Sequence, residues 1–337
     1  MFINRSAKNV WKYLKGFNNI VFYCSDPGAY GVLKAVYEAK TEDKDVFWLL
    51  EGWAKENALV GDGLKVCFSD ILKFDPDGTV VVIGGQIDCK KTIETFEKCK
   101  KHGIYSIFIF DHWANFSRQF FDPDSGKVSF PNKILLMDEI ARNILLRDIQ
   151  SINASLVSEC RARISIVGHP YIDGEVEKLK NLKKAEILKI KEKWNPEGNY
   201  LISFLSEPIQ KAFGQDKDKK PALGFNEFTV LDYLSGFLRN KYPDKNIKVL
   251  VKPHPRENKG KLKEYLKKCF DLEWELAENA TLREVIAVSD EIYGMTSLAL
   301  ILAMKAGKKV ASLQPGRNNR ARKEQNNPYI ESILLKS

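Results

Sequence analysis

The chain of 337 residues contains 53 lysines and arginines against 44 aspartates and glutamates, which gives a net charge of +9 and a pI near 9.0. Its 44% hydrophobic and 11% aromatic residues exclude a disordered chain, and its length accommodates two α/β domains. No apolar run reaches the roughly 18–20 residues of a membrane span, residues 1–19 lack a signal-peptide core, and the six cysteines are scattered, so we expect a cytoplasmic protein with reduced thiols.

The positive charge is concentrated in lysine-rich segments at residues 178–193, 217–220 and 259–268. Proteins that bind single-stranded nucleic acids interleave aromatic residues with their basic ones. These segments carry no such aromatic stripe, so we expect no nucleic-acid partner. Solvated helix faces are the interpretation we favour. A weak attraction to the anionic inner face of a membrane is the alternative, and it implies peripheral membrane association.

The first half of the chain alternates short apolar runs, rich in β-branched residues, with helical patterns. The first strand ends in a turn containing glycine that leads into a helix, but the GxGxxG fingerprint of a dinucleotide site is absent. Strands are predicted at 19–24, 46–50, 63–68, 79–83, 104–110, 133–137 and 164–167, and helices at 10–17, 29–40, 91–102 and 138–151.

The second half repeats this alternation after the segment GHPYIDG at residues 168–174, which we interpret as the domain boundary. Strands are predicted at 201–205, 248–252, 272–276, 291–293 and 309–313, and helices at 175–194, 226–241, 261–270, 281–288 and 298–306. Strands alternating with helices indicate parallel sheets with right-handed crossovers. The prediction is therefore an α/β protein with two Rossmann-like domains, residues 1–170 and 171–337, that face each other across a cleft.

A short stiff turn follows the strand at 248–252, in the sequence KPHPR. Its two prolines prevent both further strand pairing and an immediate helix, so His254 and Arg256 are held at the carboxyl end of a buried strand. Ligands of open α/β sheets collect at that edge. We therefore predict that Lys252, His254, Pro255 and Arg256 contact a phosphorylated ligand. The competing interpretation makes His254 a turn residue bonded to the backbone.

A second strand end lies at Gly294, where Thr296 and Ser297 open a helix. A helix start offers unpaired N–H groups and a positive dipole end, which suit a phosphate, although these hydroxyl residues are also common helix caps. Ser206 and Glu207 end the first strand of the same half. Glu207 is expected either to accept hydrogen bonds from a ribose or a base edge, or to be a turn residue only.

The first half offers acids at its strand ends, namely Asp26, Glu51 and Asp111, with His112 beside the last. A transferase that inverts an anomeric centre needs one general base for the acceptor hydroxyl. Asp111 with His112 is the best-placed candidate and Asp26 is its rival, while helix capping remains the alternative for each. His169 is expected to be structural or to line the cleft.

Three aromatic residues, Trp113, Phe116 and Phe120, follow this candidate base. They are expected either to form a wall on which a sugar stacks or to pack in the core. GxSxG, the phosphate loop GxxxxGK[ST] and HExxH are absent, and the cysteines lack metal-ligand spacing. We therefore expect a metal-independent enzyme without a bound cofactor, for which a nucleotide sugar is the substrate.

The KPHP turn and the Thr-Ser helix start resemble the His-Pro and Ser-Ser motifs of bacterial sialyltransferases, polysialyltransferases and capsular Kdo transferases, which are GT-B enzymes that use CMP-activated sugars. The CDP-glycerol glycerophosphotransferases of teichoic acid synthesis carry a related His-Pro signature. The resemblance covers residues 201–316 and includes the SEP sequence at 206–208. It implies that His254, Thr296 and Ser297 hold the donor phosphate. The first-domain acid-acid-glycine motif of those families is not found here.

The sequence thus predicts an inverting glycosyltransferase that moves a CMP-linked sialic acid-like sugar or Kdo to a surface glycan or glycolipid, with CDP- and UDP-linked donors next in order. The alternatives are a nucleotide-sugar epimerase of the same build and a CDP-alditol phosphotransferase. A basic scaffold that binds anionic polymers or membranes is a third possibility, and it would show steep salt dependence.

Overall fold

The computed structural model describes residues 4–40, 44–59, 63–85, 89–114 and 116–335. The chain divides into two compact units, Met1–Gly174 and Glu175–Ser337. The strands of the first unit are β1 (Asn19–Cys24), β2 (Asp45–Leu50), β3 (Leu64–Lys65), β4 (Thr79–Gly84), β5 (Tyr105–Ile109), β6 (Lys133–Leu136) and β7 (Ile164–Ile166). Its helices are α1 (Arg5–Leu14), α2 (Pro27–Glu38), α3 (Gly52–Asn57), α4 (Phe68–Ile71), α5 (Cys89–Lys101), α6 (Glu139–Ile152) and α7 (Val157–Arg163), and α8 (Pro170–Lys180) spans the division.

The second unit contains the remaining elements. Its strands are β8 (Tyr200–Leu205), β9 (Ile247–Lys252), β10 (Glu273–Leu276), β11 (Glu291–Gly294) and β12 (Lys309–Ser312). Its helices are α9 (Lys184–Trp194), α10 (Ile209–Phe213), α11 (Glu227–Lys241), α12 (Lys259–Cys269), α13 (Leu282–Val288), α14 (Leu298–Lys305), α15 (Asn319–Glu324) and α16 (Pro328–Ser332). No helix in the described ranges combines the length and the apolar character that crossing a bilayer requires.

Each unit is built on one parallel sheet. The strand order is β3-β2-β1-β4-β5-β6-β7 in the first and β10-β9-β8-β11-β12 in the second, and every pairing between these strands is parallel. In both sheets the order reverses beside the first strand, so the switch points lie between β1 and β4 and between β8 and β11. The carboxyl ends of strands at such a point are where open α/β sheets bind ligands.

The strands form where the sequence predicts because helices cover both faces of each sheet. All six residues of β4 are buried, as expected for a parallel strand covered on both faces. Helix α2 buries Ala29, Val32, Leu33 and Val36, which lie on one helical face against this sheet. All twelve predicted strands are present and all their pairings are parallel, so the predicted α/β class and parallel sheets are confirmed.

Two helix predictions are wrong in extent, and a segment interpreted as a tail contains a helix. The helix predicted at 175–194 is two helices. The first, α8, begins earlier, at Pro170, a residue that suits the first turn of a helix. The second, α9, begins after Lys183, whose backbone N–H donates to Glu186 at 2.8 Å. The first helix begins at Arg5, capped by Asn4, rather than at residue 10. The basic tail at 317–327 contains α15, which Asn318 caps.

Two glycines join the loop that follows β8 to the segment that follows β12. Gly224 and Gly316 both have positive φ angles, of 84° and 77°. A Cβ on Gly224 would lie 1.9 Å from the carbonyl oxygen of Gly316, so the two backbones approach as closely as glycine alone allows. Asn318 adds a hydrogen bond from its side chain to the carbonyl of Ala222 at 3.0 Å.

The amino-terminal edge of the second sheet is held by a buried carboxylate. Glu291 accepts hydrogen bonds from the hydroxyls of Tyr200 (3.2 Å), Tyr242 (2.5 Å) and Tyr293 (2.6 Å) and from the ammonium of Lys241 (3.0 Å). Burial opposes ionisation of Glu291, but the bonds from Tyr242, Tyr293 and Lys241 outweigh it and hold its pKa at about 2. The folded state therefore retains the ionised form well below pH 4.5.

Replacing Glu291 with Gln should lower the free energy of unfolding by about 3 kcal/mol at pH 7, because the charged acceptor of Lys241 is lost from a buried network. Since the folded pKa is below the unfolded one, this contribution is complete above pH 4.5 and disappears as the pH falls towards 2. Urea unfolding of both proteins from pH 7 to pH 3 measures it. The variant Glu264→Gln, which removes an exposed pair with Lys268, should behave as the wild type. Equal stabilities of wild type and Glu291→Gln at pH 7 would contradict the assignment.

Candidate functional site

The KPHPR turn leaves the second sheet at the end of β9. The backbone N–H of Arg256 donates to Nδ1 of His254 at 3.1 Å, and the N–H of Glu257 donates to the carbonyl of His254 at 2.9 Å. The backbone-bonded turn histidine, which the sequence left open as an alternative, is therefore observed. Because Nδ1 accepts, the neutral imidazole carries its proton on Nε2, which is left as a hydrogen-bond donor.

The electrostatics of this turn make His254 a neutral group. Burial, reinforced by the positive charge of Arg256, lowers the pKa of His254 to about 4. Lys252 is also buried in part, and its ammonium donates to the carbonyl of Ala277 at 3.2 Å in the loop after β10. Burial, with Lys259 nearby, lowers the pKa of Lys252. Arg256 and Pro255 are exposed. The cationic cluster expected from the sequence is thus reduced to one exposed guanidinium and a partly buried lysine bonded to the backbone.

Glu257 is the residue that sequence reasoning missed. One oxygen of its carboxylate accepts from the hydroxyl of Ser206 at 2.7 Å, and the other accepts from the backbone N–H of His254 at 2.9 Å. Strands β8 and β9 are neighbours, with Leu205 opposite Lys252, so this carboxylate links the turns that follow them. Burial raises the pKa of Glu257 to about 7, against the lowering effect of the Ser206 and His254 bonds. The signal available in the sequence was its position three residues after His254, from which a carboxylate can accept from the backbone N–H of His254.

The helix start after β11 is occupied by Glu207. The backbone N–H and the hydroxyl of Thr296 both donate to the carboxylate of Glu207, at 2.6 and 2.9 Å. Ser297 is the N-cap of α14 and accepts from the N–H of Ala299 at 3.2 Å. The capping interpretation of Ser297 is therefore observed, and Glu207 is bonded within the protein. A Cβ on Gly294 would lie 3.1 Å from the carbonyl of Leu205, so this glycine allows β8 and β11 to end close together.

In the first unit, the carboxylate of Asp111 lies between two glycine-containing turns. A Cβ on Gly28 would lie 2.1 Å from Oδ2 of Asp111, and one on Gly85 would lie 2.6 Å from Oδ1. Asp111 follows β5, Gly85 follows β4 and Gly28 follows β1, so the carboxylate lies at the switch point of this sheet. The side chain of Asp111 is 12% exposed. Glycine at both positions makes the room for this side chain.

Two histidines border Asp111. Nε2 of His112 lies 3.9 Å from Oδ1 of Asp111, while its Nδ1 accepts from the N–H of Ala114 at 3.2 Å. The His112 side chain is 36% exposed. The buried ring of His169 bonds through Nε2 to the carbonyl oxygen of Asp111 at 2.8 Å. His169 therefore has a structural contact, and His112 directs a protonated nitrogen towards the carboxylate.

The rival acids have other partners. Asp26 is the N-cap of α2 but makes no side-chain cap bond, and the hydroxyl of Ser25 donates to it at 3.0 Å. Glu51 accepts from Tyr23 and forms an ion pair with Lys91 at 2.9 Å. Both residues lie at the same strand-end edge as Asp111.

The aromatic residues after Asp111 belong to the core. Trp113, Phe116 and Phe120 are fully buried, and the indole N–H of Trp113 donates to Asp138, the N-cap of α6, at 2.7 Å. The rings of Phe110 and Phe116 pack 4.7 Å apart. Core packing, rather than a sugar-stacking wall, is therefore their role.

Candidate metal ligands are not clustered in the part of the chain that the structure describes. No group of three or more histidine, cysteine, aspartate or glutamate side chains is placed there to hold a metal ion. Two Asp-Pro-Asp triplets occur in the sequence, at 75–77 and 122–124, and neither forms such a group. Asp124 is paired with Lys90 at 2.7 Å instead.

Solved structures share this architecture. The chain is similar to UDP-GlcNAc 2-epimerase from Neisseria meningitidis bound to UDP-GlcNAc, at 14% identity and a TM-score of 0.58, covering 93% of this chain and 90% of that one. It is similar to S. aureus MnaA in complex with UDP, at 11% identity and a TM-score of 0.53, covering 94% and 87%. The fold is that of the GT-B enzymes.

A third similar structure is the wall teichoic acid polymerase TagF in its H548A form, at 12% identity and a TM-score of 0.50, covering 91% of this chain and 74% of that one. No family model matches the sequence, and a comparison with curated proteins finds no match. At these identities the likeness establishes the fold alone.

Replacing Gly28 with Ala should destabilise the protein by about 1–3 kcal/mol, because the new methyl would overlap the carboxylate of Asp111. The backbone of Gly85 lies close to the other oxygen of that carboxylate, so the Asp111 side chain has no room to move away. Gly236→Ala is the matched control, since this helical glycine has open space and should gain up to about 1 kcal/mol. Thermal unfolding of the two variants measures the difference. Equal stability of both variants would mean that Asp111 is free to move.

Replacing Glu257 with Gln should change how stability depends on pH. Its folded pKa of about 7 exceeds the unfolded value of 4.5, so the wild type loses stability from this group as the pH rises from 4.5 to 7. The unfolding free energy of the variant relative to the wild type should therefore increase over that interval and then level off. Urea unfolding at pH 5, 6, 7 and 8 measures this. A constant difference would show that Glu257 is ionised throughout.

Proposed function

We propose that the protein is a transferase that uses a nucleotide-activated sugar. The carrying observation is that the turn holding His254, after β9, and the start of α14, after β11, both lie at the carboxyl-end edge of one parallel sheet. A neutral imidazole with Nδ1 fixed by Arg256 presents one oriented N–H donor to a phosphate oxygen. Thr296 and Ser297 supply further donors, and exposed Arg256 supplies charge.

The donor that we favour is a CMP-linked sialic acid-like sugar or Kdo, because the KPHP and Thr-Ser motifs resemble those of enzymes using such donors. CDP- and UDP-linked donors come next, and the similar structures containing UDP-GlcNAc and UDP support them. In either case the leaving phosphate would be stabilised by protein donors, without a metal ion.

For the acceptor side we propose Asp111 as the general base that deprotonates the acceptor hydroxyl. Its carboxylate lies at a strand-end edge, and Nε2 of His112 lies 3.9 Å from it. His112, exposed beside it, is the second candidate, and Asp26 is the third. A surface glycan or glycolipid is the proposed acceptor, handled in the cytoplasm at the membrane face by an inverting reaction.

A nucleotide-sugar epimerase is the second candidate, favoured by the similarity to the epimerase from Neisseria meningitidis. A CDP-alditol phosphotransferase is a third, favoured by the similarity to the teichoic acid polymerase. An epimerase converts its nucleotide sugar without an acceptor, and a transferase consumes it only with one. Incubating the protein with UDP-GlcNAc alone and searching for an epimer separates the two.

Replacing His254 with Asn should weaken nucleotide binding roughly tenfold to a hundredfold, because a hydrogen bond to a charged phosphate is lost. The Asn oxygen can take the position of Nδ1 and keep the Arg256 bond, so the turn should persist. Thermal shifts with CMP, CDP and UDP measure binding, since a ligand of the native state raises the midpoint. The strongest wild-type response identifies the donor nucleotide.

The control for that experiment is Asp111→Asn, which should retain nucleotide binding and lose transfer, because it changes the acceptor side alone. Unchanged binding of all three nucleotides in His254→Asn would refute the donor site. If the wild type binds none of the three nucleotides but binds anionic polymers with steep salt dependence, the protein is a basic scaffold and not an enzyme.

A further inference from the structure

The ring of His169 joins the start of α8 to the turn that follows β5. The residue is 1% exposed, and its Nε2 lies 2.8 Å from the carbonyl oxygen of Asp111. A carbonyl oxygen can only accept, so Nε2 carries the ring proton and donates it to this bond. The other nitrogen, Nδ1, accepts from the backbone N–H of Ile172 at 3.4 Å, within the first turn of α8. The main chain of Asp111 is therefore bonded to the start of that helix.

The backbone that carries His169 is itself held by α1. The N–H of His169 donates to a carboxylate oxygen of Asp173 at 3.0 Å, and the hydroxyl of Ser6 donates to the same oxygen. Gly168 has a φ of 90°, and a Cβ there would lie 1.9 Å from the hydroxyl oxygen of Ser6, so only glycine fits. The imidazole thus projects from a segment whose position is fixed by side-chain bonds as well as by packing.

The turn after β5 contacts the same imidazole a second time. The indole ring of Trp113, two residues after Asp111, lies 5.4 Å from the imidazole between ring centroids, with 32° between the ring planes. The indole N–H is in turn bonded to Asp138 at the start of α6. His169 therefore contacts this turn at the carbonyl of Asp111 and at the side chain of Trp113, on either side of His112.

We infer that His169 is a positioning residue for Asp111: its Nε2–H holds the main chain from which the carboxylate of Asp111 projects. Gly28 and Gly85 limit where that carboxylate can lie, and the His169 bond fixes the peptide that follows it. The inference rests on the proposed function, because it needs Asp111 to act on the acceptor hydroxyl. A general base must lie within hydrogen-bond reach of the proton that it takes, so a small displacement of Asp111 lowers the rate steeply.

The test uses two amide variants that differ in reach. The side-chain N–H of Gln in His169→Gln can take the position of Nε2 and keep the bond to Asp111, whereas Asn in His169→Asn reaches only the position of Nδ1. Turnover is measured as nucleotide release from CMP-N-acetylneuraminic acid and from UDP-GlcNAc, with water as the acceptor. The kcat of His169→Asn should fall roughly tenfold to a hundredfold, with KM for the donor changed less than about twofold. His169→Gln should keep at least about a third of the wild-type kcat.

A double variant and a matched control separate positioning from stability. In the Asp111→Asn protein, His169→Asn should lower kcat less than about twofold further, because the residue that it positions is already lost. Asn9→Ala is the control, since the Asn9 amide donates to the carbonyl of Val167 at 3.2 Å and leaves the Asp111 bond intact. Its kcat should stay within about twofold of the wild type even where its thermal midpoint falls as far as that of His169→Asn. His169→Leu, which removes the donor, replaces His169→Asn if that protein fails to fold.

The bond can also be measured without a substrate. The chain has four histidines, so nitrogen NMR of the wild type and of His169→Gln identifies the ring signals of His169. At pH 7 the proton should lie on Nε2 and exchange slowly with water, because the ring is buried. A proton on Nδ1 alone would overturn the inference. So would turnover that is lost in Asp111→Asn and unchanged in His169→Asn, and the transferase would then stand. If the wild type neither binds a nucleotide nor releases one from either donor, the proposed function falls and the inference falls with it.

Discussion

The carboxylate of Glu257 is the interaction on which the site of the second unit depends. Parallel pairing brings the turns after β8 and β9 side by side, but it does not determine how either turn is oriented. Glu257 does so, because it accepts from Ser206 on one turn and from the backbone of His254 on the other. Without it, two partly buried donors would lose their acceptor, which costs more than the bond itself contributes. The direction of the imidazole follows from this link.

In each unit a carboxylate lies at the switch point of the sheet, and the two carboxylates are confined by different means. In the first, Asp111 is limited by sterics, since the backbones of Gly28 and Gly85 leave room for its carboxylate and little else. In the second, Glu207 is held by hydrogen bonds that it accepts from the backbone N–H and the hydroxyl of Thr296. Steric contact thus fixes the position of one carboxylate, and hydrogen bonding fixes that of the other.

Much of the fold could be predicted from the sequence, because strands covered on both faces require continuous apolar runs. The break between α8 and α9 could not, since its mark is a local bond in which the backbone N–H of Lys183 donates to the carboxylate of Glu186. The candidate donor site was located by its prolines and its helix start. The bond between Glu257 and Ser206 could not be predicted, because the two residues lie 51 positions apart in the sequence. The bond from Lys252 to the carbonyl of Ala277 could not be predicted for the same reason, since Ala277 belongs to another loop.

The approach of Gly224 to Gly316 has a consequence for how this protein can vary in length. The loop that begins at Ser206 is fixed at its far end by that backbone contact and by Asn318. Between these points it forms a small hairpin bridge, Gln215 with Pro221, whose lysine-rich tip is exposed. Insertions at residues 216–220 would extend the tip into solvent and leave both anchors in place. A single added residue at 222–226 would shift the anchor and transmit that change back to Glu207. The loop thus tolerates added residues at its tip, residues 216–220, and does not tolerate them at its base, residues 222–226.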